Sequence, residues 1–337
     1  MKVRDLGNAV QVTDIDLYND EECQELGRLA AHECVVYIDD KVTEKRLHEI
    51  QTGWGDPSRA LIHKYVGEKY LNGSHWRGFL LNLGYISKAV EDYQDGMCRV
   101  SYDLNEKGKP TGIFTNGELD WHSDQQSHFE KQRLIGLMSL YGSENSQTTF
   151  LRTSEMYGKL NHEDKSMVDE LITVWAWDGG KMSEELIESQ LELVRYHMIP
   201  LDGMECPLKE YTATGREGIK FPSHSFSHFK GMSREESLKY RDHLWSLLNK
   251  PEYVFTQNWK DGRLMIMDQN ITLHARPTNV KAGDKRTMVR MVSHVNKLFK
   301  NQDPVDYIMF KGEKLPHAQF AKMVDDQRLS ETMRNAA

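Results

Sequence analysis

One histidine and one aspartate stand two positions apart in the segment GELDWHSD, residues 117–124. In extended backbone, side chains at positions i and i+2 point to the same face. The imidazole of His122 and the carboxylate of Asp124 can therefore converge on one ion. Two ligands alone make a poor metal site. The spacing thus predicts a metal centre whose third ligand comes from another part of the chain.

Among the 14 histidines, His274 stands out as that third ligand. It follows a buried-strand pattern in residues 262–270 and precedes Arg286 and Arg290. We expect two strands of a hairpin to place His274 and these arginines on adjacent ladders. Two histidines and one carboxylate form a facial triad, which leaves coordination positions open and favours non-haem Fe(II). A nearby arginine can hold the remote carboxylate of a 2-oxo acid through paired, charge-assisted hydrogen bonds.

Many short strands are predicted around these residues. Alternating or β-branched runs favour strands at residues 8–17, 34–38, 99–103, 134–141, 147–151, 173–177, 253–259, 263–268 and 287–295. Helices are predicted to begin near Asn19, Thr43 and Ser233, and residues 178–206 have the Glu and Leu spacing of a helical insertion. This pattern indicates an antiparallel β-sandwich with helical decoration.

Composition and charge narrow the class of protein. The 337 residues fit one large β-rich domain with insertions, and a formal charge of −8 argues against nucleic acid as the main partner. The four cysteines form no C-x-x-C pair, which is typical of ordinary thiols in a reducing compartment. The N-terminus has no signal-peptide pattern and no apolar run is long enough to cross a bilayer. We therefore expect a cytoplasmic protein with no membrane partner.

The motifs resemble those of the TauD/TfdA family of Fe(II)- and 2-oxoglutarate-dependent dioxygenases. Residues 117–124 are similar to the family pattern G-E-L-P-W-H-x-D, with Asp120 where proline is common. Residues 267–274 are similar to its W-D-N-x-x-x-x-H, with Met267 in place of tryptophan and Gln269 in place of asparagine. Further similarity runs through residues 10–17, 214–216 and 231–237.

The resemblance implies a mainly β fold with helical decoration. Its core would be a double-stranded β-helix, or jelly roll, preceded by an N-terminal α/β segment. We expect residues 1–337 to form a single oxygenase domain. The helical insertion would occupy residues 178–206 of that domain, and a C-terminal extension would occupy residues 298–337.

The resemblance also implies roles for individual residues. The implied metal ligands are His122, Asp124 and His274. Arg286 matches the arginine that pairs with the C5 carboxylate of 2-oxoglutarate, and Thr149 matches the threonine beside it. Arg290 matches a second arginine, which lies near the C1 carboxylate or the substrate. Glu118 is a further candidate for substrate binding.

We therefore expect Fe(II) as the metal, with 2-oxoglutarate and O2 as cosubstrates. The implied reaction oxidises, in the first place by hydroxylation, a small polar metabolite and converts 2-oxoglutarate to succinate and CO2. Two alternatives stay open: a zinc-type metallohydrolase on the same ligands, and a non-catalytic jelly-roll module that binds 2-oxoglutarate. The expected partner is a small-molecule substrate, and a homo-oligomer stays open.

Overall fold

Two β-sheets of unequal size form the framework of the molecule. The computed structural model describes residues 1–57, 97–101, 103, 119–124, 133–144, 146–175, 204–223, 226–277, 286–299, 307–310 and 313–316. Within these residues the two sheets share a layer of buried side chains, to which both contribute. A sandwich of this kind is the architecture that the sequence predicts.

The larger sheet has seven strands. In spatial order these are β1 (Lys2–Asp5), β2 (Val10–Thr13), β3 (Val35–Ile38), β14 (Leu264–Asp268), β6 (Arg133–Tyr141), β16 (Thr287–His294) and β4 (Met97–Ser101). Only the pair β2–β3 is parallel. Alternation along a strand separates two layers: Val36 and Ile38 face the helices, whereas Val35 and Tyr37 face the second sheet.

The smaller sheet has four strands. Their order is β13 (Val254–Asn258), β7 (Gln147–Arg152), β15 (Thr272–Arg276) and β5 (Leu119–His122), all antiparallel. The tight turn at residues 269–271 carries the chain from β14 in the larger sheet to β15 in the smaller one. Asp268 stabilises this turn, because its Oδ1 accepts hydrogen bonds from the backbone N–H of Asn270 (2.9 Å) and Ile271 (3.1 Å).

Two helices cover the outer face of the larger sheet. They are α1 (Asp20–Glu33) and α2 (Glu44–Trp54), and the side chains of Asn19 and Thr43 cap their N-termini. Cys34 is the C-cap residue of α1, and its backbone is in the left-handed region with φ 69°. The carbonyl of Cys34 accepts hydrogen bonds from the backbone N–H of Asp268 and from Thr272 Oγ1. The predicted N-terminal α/β segment therefore also supports the turn between the sheets.

Smaller elements cover the outer face of the four-stranded sheet. The helices are α3 (Thr153–Tyr157), α4 (His162–Glu170) and α5 (Arg234–Leu248). The strands are β8 (Ile172–Trp175), β9 (Met204–Pro207), β10 (Lys209–Tyr211), β11 (Glu217–Ile219) and β12 (Phe226–Phe229). These elements enclose a second apolar cluster, to which Leu151 and Leu273 contribute from the sheet. A capping box of Ser233 and Glu236 begins α5, as the sequence predicts.

The predicted helical insertion and the predicted C-terminal extension differ in part from the structure. Residues 204–206, assigned to the helical insertion, belong to strand β9, which pairs with β8. The rest of that insertion, residues 178–203, lies outside the described residues. In the C-terminal extension, the described residues include a hairpin of β17 (Tyr307–Phe310) and β18 (Glu313–Pro316), which the sequence did not predict. In the described part of the chain, no helix is both long and apolar enough to cross a membrane.

Candidate metal centre

Three side chains converge at the end of strand β5. His122 is the last residue of β5, Asp124 follows two positions later, and His274 lies on the neighbouring strand β15. One ligand atom from each residue lies within 4.8 Å of the others. The distances from Asp124 Oδ1 are 3.8 Å to His122 Nε2 and 3.9 Å to His274 Nε2. The three residues named from the sequence are therefore brought together by the fold.

Strand pairing places the two histidines side by side. His274 is directly opposite His122 in the antiparallel pair β15–β5, and their ring centroids are 4.2 Å apart. On its other side, His274 is opposite Phe150 of β7, and the two rings stack at 6.4 Å. A cross-strand pair with a packed neighbour has little freedom to rotate, so the two imidazoles are held in position before any ligand binds.

The hydrogen bond of His122 defines which ring nitrogen faces the site. Its Nδ1 lies 2.6 Å from the backbone oxygen of Asp120. A carbonyl oxygen can only accept a hydrogen bond, so Nδ1 carries a proton and Nε2 is the ring nitrogen available to a metal. Nε2 is on the side of Asp124 Oδ1, as a metal ligand requires.

Asp124 is an ionised carboxylate in a buried position. Burial acts to raise its pKa, but the guanidinium of Arg290 and the imidazoles of His274 and His122 hold the pKa well below its usual range. Arg290 Nη1 donates to Asp124 Oδ2 over 2.7 Å, while Oδ1 faces the two histidines. One oxygen is thus engaged by a cation, and the other is directed to the site where a metal would bind.

Two further hydrogen bonds hold the backbone that carries Asp124. The side-chain amide of Gln269, in the turn between the sheets, donates to the backbone carbonyl of Asp124. Ser123 Oγ donates to the backbone carbonyl of Thr272 over 2.7 Å. Gln269 stands where the family pattern has asparagine, so an amide donor is kept at this position.

A cavity between the two sheets opens beside the three ligands. The empty space in this cavity and at its mouth, open solvent included, is about 510 Å³. Apolar side chains form much of its wall: Val100, Leu119, Leu137, Met267, Ala275 and Met288. Three guanidiniums also line it, and they belong to Arg276, Arg286 and Arg290. An apolar wall with a few charged groups is typical of a small-molecule site.

The predicted hairpin between His274 and the arginines is wrong. Strand β15 belongs to the smaller sheet, whereas β16 pairs with β6 and β4 in the larger one. Arg286 immediately precedes β16, and Arg290 lies within it. The arginines therefore reach the cavity from the wall opposite His274. Sequence spacing could not reveal this, because a jelly roll sends successive strands to different sheets.

Of two adjacent threonines in β7, the one predicted beside the cosubstrate, Thr149, is absent from the cavity wall. Thr149 does not line the cavity, and its Oγ1 donates to the backbone carbonyl of Ala275 over 3.2 Å. Thr148 lines the cavity instead and accepts a hydrogen bond from Trp259 Nε1 over 2.9 Å. Adjacent residues of a strand face opposite sides, so only one of two neighbouring threonines can point inward.

The remaining predicted residue and the missed residues complete the site. Glu118 lies outside the described residues. Sequence reasoning missed three residues that contribute to the site: Thr148, Gln269 and Arg276. The period of a strand could have indicated Arg276, because it stands two positions after His274 and so shares its face.

The donor set fits a divalent metal of the iron type. Two imidazole nitrogens and one ionised carboxylate oxygen leave room for further ligands, and the arginines of the cavity suit an acidic cosubstrate. A jelly roll with such a centre defines the class of non-haem, metal-dependent oxygenases. The family model described as "Taurine catabolism dioxygenase TauD, TfdA family" matches residues 2–292. The chain belongs to this family.

Individual relatives are distant but similar over most of their length. Pentalenolactone F synthase of Streptomyces arenae is 22% identical over 237 residues, which cover 67% of this chain and 78% of that protein. The crystal structure of AAD-2 in complex with Mn(II) and N-oxalylglycine has a TM-score of 0.64 at 19% identity, covering 87% of this chain and 97% of that one. A taurine dioxygenase structure from Burkholderia xenovorans has a TM-score of 0.60 at 17% identity, covering 96% and 98%. These structures confirm the predicted jelly-roll fold.

Family membership decides between the alternatives that the sequence left open. The protein is an enzyme, an Fe(II)- and 2-oxoglutarate-dependent dioxygenase, and its cofactors are Fe(II), 2-oxoglutarate and O2. Neither a zinc-type hydrolase nor a non-catalytic 2-oxoglutarate-binding module agrees with this finding.

Proposed function

We propose that the enzyme oxidises a small polar metabolite, in the first place by hydroxylation, and converts 2-oxoglutarate to succinate and CO2. In this proposal the ligands of Fe(II) are His122, Asp124 and His274. The observation that carries it is the convergence of their ligand atoms within 4.8 Å, beside a cavity lined by three arginines. Bound Fe(II), with 2-oxoglutarate and O2, supplies the oxidising power that attacks a C–H bond of the substrate.

The residues of this chain bind and orient the reactants. Arg290 holds Asp124 Oδ2, which leaves Oδ1 directed to the metal site. We assign Arg286 to the C5 carboxylate of 2-oxoglutarate and transfer the role first given to Thr149 to its neighbour Thr148. The position of Arg290 beside the ligand carboxylate supports its predicted role near the C1 carboxylate or the substrate.

The wall of the cavity supports a substrate with both apolar and polar parts. Its apolar side chains exclude water from the reacting position, which strengthens the electrostatic interactions there. The buried arginines favour a polar or anionic group on a bound molecule. Glu118 stays a prediction as a substrate-binding residue.

A metabolite screen tests the proposed reaction. Purified protein, Fe(II), ascorbate and 2-oxoglutarate should release succinate in a substrate-dependent manner, and product mass should increase by one oxygen atom for hydroxylation. His122→Ala should reduce turnover to background. The matched control is His243→Ala, since His243 is a half-exposed histidine on α5 paired with Asp164. Full activity of His122→Ala would disprove the metal assignment.

The two adjacent threonines allow a matched test of the cosubstrate position. Thr148→Val should raise the KM for 2-oxoglutarate about fivefold, because one hydrogen bond contributes about 1 kcal/mol. Thr149→Val should leave the KM within about twofold, since Thr149 faces away from the cavity. The opposite result would restore the original assignment.

The organisation and location of the protein are further proposals. We propose that residues 1–337 form one oxygenase domain that acts in the cytoplasm on a small molecule rather than on nucleic acid or a membrane. Light scattering at micromolar concentration would measure whether the protein forms a homo-oligomer.

A further inference from the structure

We propose that Arg276 is an additional cosubstrate-binding residue, which contacts the C5 carboxylate of 2-oxoglutarate together with Arg286. The inference rests on the proposed function, because it requires 2-oxoglutarate bound at the three-residue centre. No sequence motif pointed to Arg276. Its position in the smaller sheet and the charge of the cavity wall both indicate this role.

The smaller sheet presents two successive rows of side chains to the cavity. In the first row, His274 lies opposite His122 on one side and Phe150 on the other. In the second row, Arg276 is paired with Leu119. The register Ala275–Thr149 makes Thr148 the next residue across from Arg276 on β7. Arg276, Leu119 and Thr148 all line the cavity, so the second row directly follows the metal row.

The turn between the sheets defines a common direction for both walls. Residues 269–271 join the end of β14 to the start of β15. The position of a residue along either wall can therefore be counted from this turn. In the smaller sheet, His274 comes first and Arg276 second. In the larger sheet, β16 runs antiparallel to β6, and β6 runs antiparallel to β14. Strand β16 therefore runs towards the turn, so Arg290 lies closer to the turn than Arg286 does. Arg276 and Arg286 thus lie on the same side of the metal row, on opposite walls.

The spacing suits a five-carbon dicarboxylic acid. Two residues along a strand span about 6 to 7 Å, so the second row lies roughly that far beyond the metal row. An acid chelated at the centre through one end would extend its other carboxylate towards Thr148, Arg276 and Arg286. Two guanidiniums can satisfy both oxygens of that carboxylate with charge-assisted hydrogen bonds.

The charge of the described wall agrees with this role. Among the described lining residues there are three guanidiniums and one carboxylate, and that carboxylate, Asp124, is hydrogen-bonded to Arg290. Arg276 is 4% exposed and Arg286 is 3% exposed. A wall with more arginines than carboxylates attracts an anion, and 2-oxoglutarate carries two negative charges.

A pair of 2-oxo acids isolates the contribution of the C5 carboxylate. 2-Oxovalerate has the same chain length as 2-oxoglutarate but ends in a methyl group. Both acids can be titrated anaerobically into the Fe(II)-loaded enzyme and followed by the visible charge-transfer absorbance. We expect Arg276→Met to weaken 2-oxoglutarate binding about tenfold to a hundredfold, and 2-oxovalerate binding by less than about twofold. Arg286→Met is the matched comparison and should show the same selectivity.

Each outcome decides the proposal. Unchanged 2-oxoglutarate affinity in Arg276→Met would overturn it, and so would an equal loss for both acids, which would indicate a purely structural role. If Arg276→Met does not fold, Arg276→Lys is the second variant, because lysine keeps the charge without the planar fork. It should lose less affinity for 2-oxoglutarate than Arg276→Met and should still bind 2-oxovalerate normally. A wild-type enzyme that gives no absorbance change with either acid would instead sink the proposed function. A normal wild-type response with an unaffected variant sinks only the role of Arg276.

Discussion

Two buried aspartates beside the turn between the sheets, Asp124 and Asp268, show opposite electrostatic behaviour. Asp124 is 8% exposed and Asp268 is 1% exposed, yet the pKa of Asp124 lies well below its usual range, whereas burial raises the pKa of Asp268 to about 7. Gln269 connects the two regions, because it directly follows Asp268 and donates to the carbonyl of Asp124.

The difference arises from the neighbours of each carboxylate. Asp124 is hydrogen-bonded to the guanidinium of Arg290 and lies beside two imidazoles. For Asp268, two backbone N–H groups and the more remote Arg133 favour the charged form. They do not overcome burial and the negative charge of Glu210. Burial alone therefore does not prepare a carboxylate for a metal, since a cation must also hold it ionised.

The sharpest test of this contrast is the same substitution at both positions. Asp124→Asn should reduce Fe(II)-dependent turnover by more than about a hundredfold, beyond the effect of losing a supporting hydrogen bond. Asp268→Asn should keep turnover within about twofold at pH 6, because its amide oxygen can still accept the two backbone hydrogen bonds. Succinate release and Mn(II) titration would measure both variants. Equal losses would mean that the two carboxylates do not differ as described.

The pH dependence of stability should separate wild type from Asp268→Asn. The folded-state pKa of about 7 lies above the ordinary value near 4. Between those values the folded protein binds more protons than the unfolded chain, so stability is lost as pH rises through this window. The amide does not titrate. The variant should therefore gain up to about 4 kcal/mol in free energy of unfolding, relative to wild type, from pH 4 to pH 8. Urea unfolding across this range would measure the free energy of unfolding of both proteins. If Asp268 were ionised throughout, the two free energies would change with pH in parallel.

Removal of Arg290 should make Asp124 resemble Asp268. Arg290→Met leaves a buried carboxylate without its guanidinium and should reduce the free energy of unfolding of the metal-free protein by about 3 kcal/mol at pH 7. Saturating Mn(II) should recover part of this loss, because the metal replaces the missing positive charge. Arg290→Lys should lose less. An identical loss with and without Mn(II) would contradict this account.

The smallest expected effect concerns the residue between the two regions. Gln269→Met removes the N–H donor to the carbonyl of Asp124 at nearly constant volume and should weaken Mn(II) binding about tenfold. Gln257→Met is the control, since Gln257 is also buried but donates to the carbonyl of Asn258. Calorimetric titration would compare the two variants, and matched affinities would show that Gln269 only stabilises the turn.

Short-range spacing was sufficient for part of the site. The i and i+2 positions of His122 and Asp124 predict a shared face, because the alternation of a strand is a local property of the backbone. The capping box at Ser233 and the alternation in β3 are likewise encoded within a few residues. His274, which lies far from His122 in the chain, was indicated by the strand pattern before it and the arginines after it, and the similarity of residues 117–124 and 267–274 to a family pattern supported this choice.

Sequence spacing was insufficient wherever the answer depended on which sheet a strand joins or which face of a strand points inward. The choice between Thr148 and Thr149 depends on the register of β7 against β15, because both threonines have the same local surroundings in sequence. The predicted hairpin between His274 and Arg286 was wrong because β16 lies between β6 and β4 in the larger sheet. Strand pairing is a long-range choice, set by the burial of whole sheet faces rather than by neighbouring residues.

The amino-acid sequence was therefore enough to specify the chemistry: two histidines, one carboxylate and arginines for an acidic cosubstrate. Tertiary structure alone decided the arrangement of these groups. It directed one oxygen of Asp124 to Arg290 and placed Thr148 and Arg276 in the wall of the cavity. The physical reason is that residue types fix donors, acceptors and charge, whereas ionisation and ligand geometry depend on distances between segments that meet only when the two sheets pack.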